Sequence, residues 1–315
     1  MRRKSTGVPG PAVVLAGLLL LAPATAAAQA DLTGPRLLRL PASTRALGLG
    51  DVHPLGSTDS DALFYHAGFA DRLRGASLGV QWYGGRSTLY TASAATEWWG
   101  GALALGLRSV EYATALNLIP DSILAAGSES LLLEDGEAQV SERAASVAYA
   151  RRVKAVRGGV TAHLIEQRVA GERNTMVAGD IAFGTELRPV AIGIAARNLG
   201  MSYELNGRSV ELPALVMLSA ALTRVWTPGP LDVLPAAAVT YEFTGELVPA
   251  AGVEVSYWPL SGRTFSLRLG ARRAPEGTRP FTLGAGFTGD RLILDYALVP
   301  FDGDRYAHRF GMRWR

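Results

Sequence analysis

The side chains that could carry out chemistry are few in this sequence and lie far apart. With no Cys among 315 residues, disulfides and thiolate metal sites are excluded. The four His residues (His53, His66, His163 and His308) show no spacing typical of metal ligands. A hydrolase would need the fold to bring together a Ser–His or an Asp–His pair. We interpret a contact of His308 with Asp295 as one that orders the final hairpin, and we expect no catalytic residue and no metal site.

Two other segments have the composition of binding sites. Gly284-Ala285-Gly286-Phe287-Thr288-Gly289 matches G-x-G-x-x-G, but a dinucleotide site needs a helix to begin there. Arg291 to Leu298 alternates like a strand instead, so we place these glycines on a barrel face or in a hairpin and expect no cofactor. The second segment, Val110 to Ala138, is acidic without the D-x-D-x-D-G spacing of a calcium loop. A solvated surface loop explains its acidic residues as well as a calcium site does. Its apolar runs are typical of segments that contact a partner or lipid.

The first thirty residues have the pattern of a secretory signal. Residues 2–4 are basic, an uncharged run follows from Ala12 to Leu21, and Ala28-Gln29-Ala30 gives an A-x-A cleavage site. The apolar run is shorter than the ~20 residues of a spanning helix. Cleavage before Asp31 removes three of the 31 basic residues and leaves 28 basic against 28 acidic ones. This neutral balance excludes a nucleic-acid partner argued from overall charge.

After residue 75 the sequence alternates between apolar and small or polar residues with a period of two, which is typical of β-strands. We predict an all-β fold, a transmembrane antiparallel β-barrel of about fourteen strands, although counts of twelve or sixteen stay open. The strands begin near residues 76, 87, 101, 139, 157, 174, 189, 212, 231, 248, 263, 279, 290 and 305. Each is ~8–13 residues long, enough for a tilted strand to cross a bilayer.

One face of the clearest strands is apolar, and the other carries charged residues. A basic side chain that faces lipid costs about 2–4 kcal/mol at mid-membrane, so the charged face should line the lumen. The candidate lumen-facing residues are Arg108, Arg197, Arg268, Arg272, Asp295, Arg309 and Arg313. Short and long connections alternate, and short turns of such barrels face the periplasm. We therefore predict an outer-membrane protein of a Gram-negative-type bacterium with both termini in the periplasm.

The six Trp residues fit the same arrangement. Indole rings favour the membrane interface, so we expect an interface girdle with most rings at the short-turn end and Trp82 at the other. The girdle candidates are Trp82, Trp98, Trp99, Trp226, Trp258 and Trp314. The alternative is a soluble secreted β-sandwich in which Trp residues cap the core.

Residues 31–74 do not alternate, which predicts a compact plug ahead of a barrel at 75–315. Thr58 to Asp61 should cap a short helix that ends at Gly68, and Gly48, Gly50 and Gly56 mark a tight loop before it. This segment resembles the N-terminal signature of PorV/PorQ-type outer-membrane proteins, relatives of the FadL fatty-acid transporters. The motif residues are Arg45, Gly48, Gly50, Asp59, Asp61, Phe64 and Tyr65. His66-Ala67-Gly68 departs from the Asn-Pro-Ala usual in that family.

The resemblance continues at Arg197 to Gly200 and at Leu294 to Ala297, and so covers most of the mature chain. It implies a fourteen-stranded, non-enzymatic barrel with a periplasmic plug that assists protein export or surface delivery, as in type IX secretion. The alternative it implies is a FadL-like transporter of hydrophobic small molecules. An enzyme built on a barrel is the third hypothesis, disfavoured because no nucleophile–base pair is evident. The expected partners are outer-membrane lipid and either secretion-system or cargo proteins or a hydrophobic ligand.

Overall fold

Long antiparallel strands make up most of the structure. This computed structural model describes residues 34–83, 87–112, 140–169, 172–205, 208–223, 225–243, 245–260, 262–273, 279–301 and 305–314. The predicted signal segment and most of the acidic segment, residues 113–139, lie outside the described residues. Among the helices that the structure describes, none is long and apolar enough to cross a membrane.

Fourteen strands pair with their neighbours along the chain, and the last pairs with the first to close a barrel. The predicted fold class and strand count are confirmed, and every barrel strand begins within three residues of its predicted start. The barrel strands are β1 (Gly75–Trp82), β2 (Thr88–Trp98), β3 (Gly101–Tyr112), β4 (Val140–Val153), β5 (Val156–Val169), β6 (Glu172–Leu187), β7 (Val190–Leu199), β10 (Leu215–Leu222), β11 (Leu231–Glu242), β12 (Leu247–Leu260), β13 (Arg263–Arg272), β14 (Phe281–Thr288), β15 (Leu292–Pro300) and β16 (Tyr306–Trp314). Two short strands, β8 (Tyr203–Leu205) and β9 (Arg208–Val210), form a hairpin in the connection between β7 and β10.

The alternating residues separate into an outer and an inner face. Outward side chains such as Leu107, Leu164 and Leu267 are more than half exposed, which suits contact with lipid chains. Their neighbours in the chain point inward and are small or polar. Trp98, Trp99, Trp226, Trp258 and Trp314 are exposed at or near the short-turn end, whereas Trp82 pairs with His308 toward the opposite end.

Residues 34–74, hereafter the lumen segment, lie across the barrel interior. The segment contains the 3₁₀ turns Arg36–Leu38, Ser60–Phe64 and Ala67–Arg72 and the α-helical turn α1 (Thr44–Leu47). Helix α1 packs against β14, β15 and β16, while the Ala67–Arg72 turn packs against β4, β5 and β6. The segment therefore touches opposite sides of the barrel.

The single short helix predicted between Thr58 and Gly68 is wrong in detail. Two separate 3₁₀ turns occupy this stretch, and the second runs through Gly68. Asp59 stands at the N-cap of the first turn, but its side chain makes no capping hydrogen bond. Its carboxylate is paired with Arg45 and Arg313 instead. A long-range ion pair has replaced the local cap.

Candidate functional site: the contacts of the lumen segment with the barrel wall

Six buried or nearly buried charges form a closed ring between the lumen segment and one side of the wall. Arg45 bonds Glu254 at 2.6 Å and Asp59 at 3.0 Å. Glu254 also accepts from Arg268 at 2.5 Å. Positive and negative groups alternate through these contacts, so each charge has an opposite neighbour on both sides.

The other half of the ring lies on the wall. Arg268 bonds Asp295 at 2.7 Å, and Asp295 bonds Arg313 at 2.8 Å. Arg313 then pairs with Asp59 and closes the ring. The charges of the three arginines and the three carboxylates cancel. This pairing offsets the free-energy cost of burying the whole set. Removing one member would leave its partners uncompensated, at a cost of about 3–5 kcal/mol for a buried pair.

His53 and Asp61 lie beside this ring. Burial works to raise the pKa of Asp61, but the electrostatic attraction of His53, whose Nε2 lies 3.7 Å from Asp61 Oδ1, holds the pKa below its usual value. The ligand atoms of His53, Asp59 and Asp61 lie within 4.8 Å of one another, close enough to surround a cation. Both oxygens of Asp59 are already held by Arg45 and Arg313. We therefore interpret the group as part of the ion-pair network.

Arg309 holds the same side of the lumen segment without any carboxylate. Its guanidinium donates to the carbonyl oxygens of Pro41 and Ala42 at 3.1 and 2.8 Å and to the hydroxyls of Thr44 and Thr91 at 3.1 and 2.7 Å. The two carbonyl groups have fixed positions in the backbone, and the guanidinium of Arg309 presents its N–H donors in a rigid plane. The arginine therefore fixes the path of the chain just before α1.

On the opposite side the lumen segment meets the wall through apolar contacts. Leu63 and Phe64 pack on inward-facing alanines of β3 and β4, and Ala67 and Phe69 pack on alanines of β6 and β7. The wall is notched by glycines at these points. A Cβ at Gly106 would lie 2.5 Å from the Phe64 ring, and one at Gly184 would overlap Phe69. Close packing at these points depends on missing side chains. Charged contacts lie beside them, because buried Arg157 of β5 pairs with Asp71 of the lumen segment and with Glu186 of β6, and Glu142 of β4 accepts from the backbone N–H groups of Arg36 and Leu37.

The polar groups on this apolar side are incompletely paired. Both ring nitrogens of His66 are buried with no hydrogen-bond partner, and burial lowers its pKa to about 4. Arg108 lies over the Phe64 ring at 4.9 Å and Arg197 over the Tyr65 ring at 5.8 Å. Nε of Arg108 and Nε of Arg197 are also buried without a hydrogen-bond partner. These arginines hold the segment through ring faces, and Arg108 also donates through Nη1 to the carbonyl oxygen of Leu37 at 3.1 Å.

The sequence reasoning missed a hydrogen-bond chain across three neighbouring strands. Ser146 Oγ lies 2.7 Å from His163 Nδ1, and His163 Nε2 lies 3.0 Å from Asp180 Oδ2. The residue types are those of a hydrolase triad, but Ser146 sits inside a strand whose backbone N–H groups belong to the sheet ladder. A preformed pair of backbone donors for an oxyanion is therefore not available from that strand. We interpret the chain as a buried structural network.

The expected pairing of His308 with Asp295 is wrong. His308 faces outward and bonds the hydroxyl of Tyr296 at 2.8 Å, whereas Asp295 faces inward and joins the ring. Register explains the difference, because Asp295 is opposite Gly311 and His308 is opposite Leu298. The two side chains lie on different faces of the hairpin.

The other candidate residues can now be located. Arg272 faces Asp51 of the lumen segment at 3.6 Å. Burial raises the pKa of Asp51, and the Tyr65 hydroxyl donates to that carboxylate at 2.7 Å. Gly48 ends α1, and Gly50 follows with a φ of +75°, so its backbone passes close to β13 at Ala271. Glu254 was not a candidate, yet it completes the ring. The seven charged candidates all have inward-facing positions: Arg108, Arg197, Arg268, Arg272, Asp295, Arg309 and Arg313.

Comparison with solved structures places this architecture. The Ralstonia pickettii toluene transporter TbuX matches with a TM-score of 0.54 and 11% identity over 87% of this chain and 97% of that chain. The Pseudomonas putida toluene transporter TodX matches with a TM-score of 0.52 and 10% identity over 90% and 97%. A Pseudomonas aeruginosa FadL homologue matches with a TM-score of 0.51 and 11% identity over 90% and 98%. No protein-family model and no curated protein matches the sequence.

At this level of identity the likeness shows the fold alone. The chain has the closed fourteen-stranded fold of the FadL-like outer-membrane barrels. Its structural neighbours are channel and transporter barrels rather than enzymes. The PorV/PorQ resemblance of the N-terminal motif is not supported by the name of any of these neighbours.

Proposed function

We propose that this barrel passes a hydrophobic small molecule across the outer membrane, along the apolar side of the lumen segment. The observation that carries the proposal is the asymmetry of the contacts around that segment. A closed ring of charges fixes it to β12, β13, β15 and β16, whereas on β3–β7 Leu63, Phe64 and Phe69 pack on the wall. Charged contacts on that second side lie above and below the phenylalanines, where Arg157 of β5 pairs with Asp71 and Glu142 of β4 accepts from the backbone N–H groups of Arg36 and Leu37. An apolar solute can replace apolar contacts without leaving a buried charge unpaired.

The structural neighbours support the same reading, since a toluene transporter is among the proteins that share the fold. A passage that opens between these packed surfaces would be lined by Phe64, Phe69 and wall alanines, so it would favour a small apolar or aromatic solute over a polar one. Transport of such a solute requires only that the passage exclude water and select by size and shape.

The test is uptake by cells whose outer membrane contains or lacks the protein. Labelled toluene at low micromolar concentration is the probe, and the initial rate is measured. The proposal expects faster uptake with the protein and a loss of that gain in the Gly184→Leu variant, which fills the apolar side. Equal uptake with and without the protein would contradict transport of this class of solute.

Protein export remains the second candidate, favoured by the N-terminal motif that resembles PorV/PorQ-type proteins. Two of its residues, Arg45 and Asp59, belong to the ion ring, so the motif also has a structural explanation. Affinity capture from native outer membranes discriminates the two functions. A stoichiometric secretion or cargo partner would favour export over transport.

A further inference from the structure

We propose that the outer wall carries a binding site for a lipid whose headgroup contains phosphate, at the long-loop end of β4, β5 and β6. Three outward-facing arginines cluster there with one carboxylate: Arg143, Glu166, Arg168 and Arg173. The site lies on the lipid side of the wall, so it is independent of the lumen passage.

The cluster carries a surplus of positive charge. Arg168 Nε bonds Glu166 at 2.8 Å, and Arg173 pairs with the other oxygen of the same carboxylate. Arg143 stands opposite Glu166 in the sheet register and is exposed. Three guanidiniums thus share Glu166, and with the exposed Glu111 on the neighbouring strand β3 the group keeps a net charge of +1. Half or more of the Arg168 and Arg173 side chains is exposed.

The position of the cluster relative to the apolar belt fits a headgroup. One or two pleats toward the short-turn end, the same outer face shows Val147, Leu164 and Val177, all exposed. An arginine facing hydrocarbon is costly, so the belt ends where the arginines begin. A broad depression of about 1320 Å³ extends along β1–β3 and β13–β16, and one edge of it reaches Leu164, Arg143, Glu166 and Arg173. Acyl chains on the apolar part would place a headgroup against the guanidiniums.

The same end of the barrel differs on the strands beyond β3, where Tyr90 of β2 lies in the same rung as Arg143 two strands away. There β1, β2 and β16 present Trp82, Tyr90 and Tyr306 outward. Aromatic rings are the usual residues of a membrane interface and select no particular headgroup. The arginine cluster is therefore a local feature rather than a continuous band. Guanidinium forks match phosphate oxygens in pairs, which makes phosphate the headgroup chemistry that fits best.

The test uses the purified full chain, stripped of lipid in a non-ionic detergent, and follows binding by native mass spectrometry. Diphosphoryl lipid A is the probe, and the same lipid without phosphate is the comparison. We expect one tightly bound phosphorylated lipid per barrel and at least about tenfold weaker binding by the Arg143→Gln/Arg173→Gln double variant, or 1.4 kcal/mol. The matched control, Arg151→Gln/Arg152→Gln at the short-turn end, should bind like the unaltered chain.

Three results would overturn the proposal. Equal binding of the lipid with and without phosphate would show that only the acyl chains matter. Unchanged binding by the double variant would place the lipid elsewhere. Equal occupancy by inorganic phosphate alone would show a free-anion site instead of a lipid site. The heat-dependent mobility of each variant in SDS confirms that its barrel is closed, and the single Arg143→Gln variant repeats the test with the smallest change.

Discussion

The two sides of the lumen segment are held by different physics. On the side of β12, β13, β15 and β16, six charges alternate in a closed ring in which every member has two opposite neighbours. On the side of β3–β7, phenylalanine and alanine side chains pack against wall glycines, and the charged contacts form an open chain, Asp71–Arg157–Glu186–Arg72, instead of a ring. The ring is directional and demands complete pairing, whereas the apolar contacts of the second side are non-directional.

This difference shows how a segment can stay anchored and yet give way. Breaking the ring in the low-dielectric lumen leaves several charges without partners at once. A partly opened ring is therefore less stable than the closed one. Apolar surfaces can separate gradually when an apolar solute takes the vacated space. We therefore expect the ring to act as the hinge of the lumen segment and the apolar side as the edge that opens.

The largest effect is expected from breaking the ring at Asp59. Asp59→Asn removes the charge that compensates Arg45 and Arg313, and loss of one partner of a buried pair costs about 3–5 kcal/mol. The lumen segment should become sensitive to protease while the barrel stays heat-modifiable in SDS. Asp232→Asn, a strand carboxyl outside the ring, is the control and should leave the segment protected. If the lumen segment were equally protected from protease in both variants, the ring would not be what anchors it.

A smaller effect is expected on the apolar side. Gly184→Leu places a side chain where the Phe69 ring packs, and overpacking costs typically 1–3 kcal/mol. Protease sensitivity near Phe69 should rise, with little change near Arg45. Gly158→Ala is the control, since its Cβ would meet only Phe183 at ordinary contact distance, 3.5 Å. Loosening near Arg45 in the Gly184 variant would contradict independent behaviour of the two sides.

The buried His66 should make the apolar side pH-sensitive. Burial lowers its folded pKa from the ordinary 6.5 to about 4, so the detached state binds more protons between these values. Attachment is therefore complete above pH 6.5 and weakens as pH falls toward 4, by about 2 kcal/mol between pH 7 and pH 5. Labelling of an engineered cysteine in the Ala67–Arg72 turn reports detachment. His66→Gln should abolish this dependence, and a persistent dependence would assign it to another group.

The smallest effect is expected from the exposed pair of Arg74 with Glu97. Both side chains are about two-thirds exposed, and such pairs contribute roughly 0–1 kcal/mol. Arg74→Gln should leave protease protection of the lumen segment within experimental error. A loss comparable to that of Asp59→Asn would show that burial does not set the strength of these anchors.

The barrel could be predicted because its signal is local. Strand faces follow from alternation within eight to sixteen residues, so the strand starts and the inward arginines were found without knowing the fold. The contact between Ser146 and His163 could also have been predicted from the sequence. They lie symmetrically about the turn between Val153 and Val156, and locating that turn places them opposite each other.

The ring could not be predicted in the same way. Arg45 and Glu254 are separated by 209 residues, and their meeting depends on the path of the lumen segment through the barrel. Asp59 reads as a helix cap in the sequence because local chemistry favours that role, yet two arginines hold its carboxylate. His308 and Asp295 were misplaced by a register that the turn residues alone did not fix.

The most direct test compares two single-cysteine variants, which the absence of native Cys makes clean. Leu47→Cys lies on the side of β15 and β16 and Ala67→Cys on the apolar side, and the two native residues are equally buried at 1% and 2% exposed. Each is labelled with a small thiol reagent in outer membranes, with and without toluene. The account predicts that toluene speeds labelling at position 67 at least about tenfold more than at position 47, a difference of 1.4 kcal/mol in opening. Equal acceleration, or faster labelling at position 47, would contradict a passage on the apolar side.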